Sequence, residues 1–271
     1  MKNNLIGHGF VAPSEILPEE YIFGAQKLPD TILVDNGNWR PYLPNGEWQH
    51  SRSKFFDTYG CTIYNTLQII EILERFLYKE KNDYSERFVY IGTETRPPGN
   101  NPHVIADWMR KNGIVDEELL PFTEDIASLN DYAHPNPLPD NFVNKGKRWA
   151  ENNDFGHEWV FTGNKTPQEK QELLKEGLRR SPIGVSVVAW KESGGMYYKE
   201  QGESDNHWTD LIQYDGACPI ILDSYEPFIK RLAPNYDFGW AKRYHLERKT
   251  NERKNSAIIR LLRMYHDCLL S

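Results

Sequence analysis

The chain has little cysteine. Its 271 residues hold Cys61, Cys218 and Cys268 only. Three thiols, odd in number and far apart, exclude a disulfide framework. There is no CxxC, and no histidine pairs with another histidine or cysteine at metal-ligand spacing apart from the single run His266-Asp267-Cys268. No zinc, no other metal and no cofactor is therefore expected. Long apolar runs are also missing: none approaches the roughly 20 residues of a membrane helix. The first twenty residues carry one lysine and no apolar stretch, so no secretory leader is expected. Basic residues are in deficit, with 32 Lys and Arg against 39 Asp and Glu and a net charge of −7. An acidic chain without a basic cluster argues against nucleic acid or an anionic membrane as the main partner. What is present, 39% apolar and 13% aromatic residues, is the composition of a folded globular protein.

Residues 1–50 are rich in Pro, Gly and Asn, show no sustained period, and read as an extended arm or wrapping segment. A strong helical period starts at Cys61, where Ile63, Leu67, Ile70, Leu73 and Leu77 recur every three or four residues. Ile69, Ile72 and Phe76 widen the stripe, as suits a central helix buried on most sides. Asp57 or Thr58 is expected to cap it. A helix over 101–112 has Asn101 as cap, Pro102 at its first position and Gly113 as stop. Another spans 166–180, opened by the capping box Thr166-Pro167-Gln168-Glu169 and ended by Ser181-Pro182. Residues 130–146, with Pro135, Pro137 and Pro139, read as a surface loop. Short branched and aromatic runs then follow at 183–190, 207–214, 220–225 and 240–246, with 207–225 as a hairpin. An amphipathic helix is expected over 252–270. Helices first and strands later predict an α+β fold, a helical half packed on a mostly antiparallel sheet.

Three residues in this frame can form a nucleophilic constellation. Cys61 opens the central helix after Gly60, where unpaired amides and the helix dipole favour a thiolate and a lowered pKa. A single cysteine is more often a small core residue, so the position alone decides nothing. His207 opens a strand after a flexible run over 194–206, where a loop delivers it into a cleft as a general base. Asp223 ends the strand Ile220-Ile221-Leu222 and can hold the imidazole through its other nitrogen. Taken singly, they read as a surface histidine and a turn aspartate. The ordered set on helix start, strand start and hairpin partner is far less ordinary.

Here the sequence resembles the papain-like cysteine peptidases. Tyr59-Gly60-Cys61-Thr62 is similar to their nucleophile segment, and Asn206-His207-Trp208 to their asparagine-histidine strand. Leu222-Asp223-Ser224-Tyr225 is similar to their asparagine-serine-tryptophan motif. His207 follows Cys61 by 146 residues, inside the ~130–150 of that family. Ser85-Glu86-Arg87-Phe88 resembles the second helix, and Pro98-Gly99-Asn100-Asn101 the glycine-rich substrate wall. Asn38-Trp39-Arg40 resembles the start of the mature enzyme. The resemblance covers roughly residues 38–246 and is nearest to a divergent, often phage-associated branch.

It implies an arm over 1–37 and a catalytic domain over 38–271, with a helical half about 38–165 and a β half about 183–246. It implies a Cys61-His207-Asp223 triad acting on a peptide or protein substrate, with Gly99, Asn100, Asn206 and Trp208 binding it. A cytoplasmic or virion location is expected. There are departures. Thr62 stands where the family has Trp, and Asp223 where it has Asn, which accepts the same hydrogen bond. Phe55 or Phe56 occupies the place of the oxyanion glutamine, leaving Gln49, twelve residues before Cys61, as the candidate. The 37 residues ahead of Asn38 are too few for the long helical inhibitory propeptide. Other readings are a peptidoglycan amidase, a catalytically weak papain-fold binding protein, and, last, a carbohydrate-active protein suggested by 8 Trp and 15 Tyr.

Overall fold

A computed structural model describes residues 9–14, 28–162 and 165–249. At its centre is α1 (Cys61–Leu77), whose first fourteen residues are all buried. The apolar stripe alone does not achieve this. Asn65, Thr66, Gln68, Glu71 and Glu74 are buried with it, and several turn to fixed partners: Thr66 Oγ1 donates to the Thr62 carbonyl at 2.7 Å, and Glu74 accepts from the Tyr84 hydroxyl. The cap differs from expectation. Gly60 is the N-cap and makes no side-chain bond. Asp57 Oδ1 accepts from the Tyr59 N–H and Thr58 Oγ1 from the Gly60 N–H, so both side chains shape the turn before the helix.

Four short helices follow: α2 (Glu86–Gly92), α3 (Pro102–Asn112), α4 (Leu129–Tyr132) and α5 (Asp140–Asn152). The Asn101 cap accepts from the His103 N–H, and Gly113 stops α3 at φ +75°. Helices α4 and α5 correct the reading of 130–146 as a loop: the prolines end at Pro139, which is the N-cap of α5. The next strand, β1 (Asn153–Thr162), was also not foreseen, and it carries the β half further back than residue 183. Helix α6 (Pro167–Leu178) has both bonds of its capping box.

The remaining strands are β2 (Ile183–Val187), β3 (Lys191–Ser193), β4 (Met196–Tyr198), β5 (His207–Asp215), β6 (Cys218–Leu222), β7 (Ile229–Arg231) and β8 (Trp240–Arg248). Five of these join β1 in one six-stranded sheet in the order β1-β8-β2-β5-β6-β7, with every pair antiparallel. Strands β3 and β4 make a separate hairpin. Cys218 is the first residue of β6 and is buried, so the turn is Gly216-Ala217. Helix α1 packs against β5, β8 and β2, and the core runs continuously between the two layers. Part of the arm wraps this body. Trp39 is fully buried, donates its indole N–H to the Leu178 carbonyl at 2.7 Å, and gives its backbone N–H to Ile212. The helix expected over 252–270 lies outside the described residues. No described helix is long and apolar enough to cross a membrane.

Candidate active site

The seam between α1 and β5 brings the predicted residues together. Asn65, one turn along α1, donates its amide to two carbonyls, Cys61 O at 2.6 Å and Trp208 O at 2.5 Å. This side chain fastens the nucleophile end of the helix to the histidine end of the strand. The backbone N–H groups of Trp208 and Thr62 are directed at the Cys61 sulfur. His207 and Cys61 are both fully buried.

The antiparallel β5–β6 register pairs Asp210 with Leu222 and puts Asp223 beside His207. His207 Nε2 lies 2.6 Å from Asp223 Oδ1. An ionised carboxylate only accepts, so Nε2 carries the proton. Nδ1 is buried without a hydrogen-bond partner among the described residues. The Ser224 N–H also donates to Asp223 Oδ1, at 2.8 Å.

Sequence reasoning missed the group behind Asp223. Lys230, from β7, places Nζ 2.6 Å from Asp223 Oδ2, and both side chains are buried. Its ammonium also donates to the carbonyls of Tyr225 (2.5 Å) and Pro227 (2.8 Å), and it lies 5.0 Å from the centre of the Trp190 ring. Burial alone would raise the Asp223 pKa; the charges of Lys230 and His207 outweigh it and hold the carboxyl below its usual range. A carboxylate with an adjacent ammonium is neutral as a pair, as an asparagine is.

Gln49 is buried in the same network, and its amide is fully engaged. Nε2 donates to Asp57 Oδ1 (3.1 Å) and to the Tyr225 hydroxyl (2.6 Å), and Oε1 accepts from Ser224 Oγ (2.6 Å). Both amide protons are thus committed, and neither is left for an oxyanion. The Tyr225 hydroxyl donates in turn to Asp57 Oδ2.

Gly99, Asn100, Asn206 and Trp208 form the two walls of a cleft, and the chain's own residues 9–11 lie between them. The Gly9 N–H donates to the Asn206 carbonyl (3.3 Å), the Asn100 N–H to the Gly9 carbonyl (3.0 Å), and the Val11 N–H to the Asn100 carbonyl (3.1 Å). The pairing of Phe10 with Asn100 is parallel. The Phe10 ring stacks on Trp208, 5.3 Å between centroids and 18° from coplanar. A Cβ at Gly9 would fall 2.6 Å from Cys61 Sγ, and one at Gly99 would fall 2.0 Å from the Gly9 carbonyl oxygen. Both glycines are therefore required by close approach. Under this cover the lowered thiol pKa expected from the helix start is not found. Burial pushes it well above its usual value; the Trp208 N–H opposes this, the Asp57 and Asp223 charges add to it, and the Thr62 N–H opposes it in turn.

No family model and no curated protein sequence matches the chain. Solved structures do. Procathepsin L 3 of Tenebrio molitor larval midgut superposes with a TM-score of 0.59 at 14% identity, over 89% of this chain and 77% of that one. Xylellain, a cysteine protease from Xylella fastidiosa, also gives 0.59 at 14%, over 90% and 96%. The bromelain protease from Ananas comosus gives 0.52 at 15%, over 78% and 98%. With its central helix, six-stranded antiparallel sheet and intervening cleft, this chain has the papain-like fold.

Proposed function

We propose that the protein is a cysteine-type peptidase that hydrolyses peptide or isopeptide bonds. One observation carries this reading: an extended peptide segment, the chain's own residues 9–11, lies across Cys61 and is held by main-chain hydrogen bonds to Asn100 and Asn206. A cleft that grips backbone on both sides of a thiol is built for a polypeptide.

In this reading each step belongs to a named group. His207 Nδ1 takes the Cys61 proton, and the thiolate attacks the scissile carbonyl carbon. The backbone N–H of Cys61, at the start of α1, faces the developing oxyanion. Asp223 holds the imidazolium through Nε2–H, and its own charge is balanced by Lys230. Nδ1–H then protonates the leaving amine. Water, deprotonated by the same nitrogen, cleaves the thioester and restores the thiol. Residues 9–11 must leave before a substrate enters. The Gly9 carbonyl is bonded to the Asn100 N–H rather than turned to the Cys61 amide, so the segment occupies the site without alignment for attack.

A second reading, a papain-fold binding protein with weak catalysis, is favoured by the engaged Gln49 amide. The two separate in one experiment. The full chain and a variant lacking residues 1–14 are treated with a peptidyl epoxide and a peptide library. The peptidase reading expects Cys61 to be labelled and peptides to be cleaved in the shortened variant, with cleavage lost in Cys61→Ala. A folded shortened variant that binds peptides but neither cleaves them nor reacts with the epoxide overturns it. Release of peptides from cell-wall material distinguishes an isopeptide substrate.

A further inference from the structure

Asp57 is a buried carboxylate of the site that the proposed steps leave without a task. In sequence it reads as a cap for α1, but the folded chain gives it other partners. Oδ1 accepts the Tyr59 N–H at 2.6 Å and a Gln49 Nε2 proton at 3.1 Å, and Oδ2 accepts from the Tyr225 hydroxyl. The residue is 6% exposed. Burial raises its pKa; the bonds from Tyr225, Tyr59 and Gln49 and the charge of His207 oppose the rise and favour a carboxylate.

Two of these bonds reach the two halves of the reacting pair. Tyr59 stands at φ +56°, in the left-handed region that a bulky side chain rarely adopts. Its N–H is held by Asp57, so the carboxylate pins the turn from which the Cys61 N–H emerges at the start of α1. On the other side, Tyr225 comes from the chain after β6, 168 residues away. Its ring lies 5.3 Å from the His207 imidazole and stacks on His50 at the same distance. One carboxylate therefore ties the turn of the thiol to a wall of the imidazole. It also acts through space: burial keeps the Cys61 thiol protonated, and the Asp57 charge adds to this. The charge of Asp223, by contrast, is balanced by Lys230.

We propose that Asp57 is a positioning residue for hydrolysis at Cys61: it fixes the turn that presents the oxyanion amide, holds Tyr225 against His207, and places a negative charge beside the thiol and the imidazole. This role presupposes the peptidase reading of the site. The charge reaches Cys61 on α1, His207 on β5, Tyr225 after β6, Tyr90 on α2 and His50 on its own loop. Taking a negative charge away favours both ionisation of a thiol and loss of a proton from an imidazolium, so both limbs of a pH–rate profile move toward lower pH. Asp57→Asn separates the bonds from the charge. Its amide oxygen accepts from Tyr59 and Gln49, and its NH₂ donates to the Tyr225 oxygen, which accepts as well as it donates. Asp57→Ala removes both.

The test compares full-length wild type, Asp57→Asn and Asp57→Ala, with folding checked by circular dichroism. Iodoacetamide alkylation of Cys61, read by peptide mass mapping, is followed against pH. Hydrolysis of a peptide substrate is followed against pH in the same three chains carrying Gly9→Val, whose side chain cannot fit over the thiol. The Asn variant should alkylate with a midpoint about half a pH unit or more below wild type. Its hydrolysis profile should shift bodily in the same direction, with little loss at the maximum. The Ala variant should lose about tenfold or more in kcat with less change in KM, because a misdirected oxyanion amide is missed in the transition state. A purely structural role would lower the melting temperature and shift no midpoint. An unmoved Cys61 midpoint in the folded Asn variant overturns the proposal, and so does an Ala variant that hydrolyses as well as the Asn variant. Alkylation needs no turnover. An opened chain that alkylates but cleaves nothing refutes the peptidase reading, and the shift at Cys61 still decides on Asp57.

Discussion

Asparagine at position 223 is the substitution the family resemblance makes look harmless, and the structure makes it costly. An amide oxygen can still accept from His207 Nε2 and from the Ser224 N–H. The amide then presents its NH₂ toward the Lys230 ammonium, donor against donor, where a carboxylate oxygen stood at 2.6 Å. Removing one partner of a buried ion pair costs about 3–5 kcal/mol. Lys230 keeps its carbonyl acceptors on Tyr225 and Pro227, so the lower end, about 3 kcal/mol, is expected. At about 2–4 °C per kcal/mol for a chain of this size, Asp223→Asn should melt roughly 6–12 °C below wild type. Asp223→Asn combined with Lys230→Met removes both charges and should recover at least half of that loss. Peptide hydrolysis by the double variant should exceed that of Asp223→Ala with Lys230→Met, which lacks any acceptor for the imidazole. The assay is thermal melting of the wild type, both single variants and the double variant as a cycle, with hydrolysis alongside. A coupling below about 0.5 kcal/mol would mean that the two groups act independently, and the idea of a carboxylate and ammonium standing in for asparagine would fail.

Other expectations follow from single contacts. Gly9→Val cannot fit over the thiol, because backbone atoms as well as Sγ stand within about 3 Å of the added carbon. It should expel the segment, raise the rate of Cys61 alkylation at neutral pH by an order of magnitude or more, and move the pH midpoint of alkylation downward; an unchanged rate would mean the segment does not shield the sulfur. Asp210 is fully buried on β5 with no hydrogen-bond partner on either oxygen among the described residues, and burial, aided by the Asp223 charge, pushes its pKa well up. The folded state thus holds a proton that the unfolded chain releases above about pH 3.9, so stability falls as pH rises from there toward the folded value. Asp210→Asn should flatten this slope and stabilise the protein at pH 7 by about 1–3 kcal/mol, read from melting at several pH values; a steeper slope would contradict the reasoning. Cys218→Ser, in the wall of the sheet away from His207, should leave hydrolysis intact, and loss of activity in a folded variant would mean that the site extends to β6.

The residues proposed for the triad are legible in the sequence because each sits at an element boundary that local chemistry marks. Cys61 follows a glycine at the start of a strong helical period, His207 begins an alternating strand, and Asp223 ends an apolar one. The caps Asn101 and Thr166 were equally legible, since a cap acts within four residues of itself. Helix α5 and strand β1 were obscured by neighbouring prolines and by aromatic residues that suit either state. The groups decided by tertiary structure act across elements. Lys230 reaches Asp223 only because β7 pairs with β6, and Asn65 fastens helix to strand over a separation of 143 residues. The same holds for Gly9. In sequence it is one glycine in an irregular arm, and only the folded cleft gives it a sulfur to lie against. Short-range hydrogen bonding and hydrophobic period determine where the elements begin. Which charges are buried together, and which segment fills the cleft, depends on the packing of parts that the sequence keeps far apart.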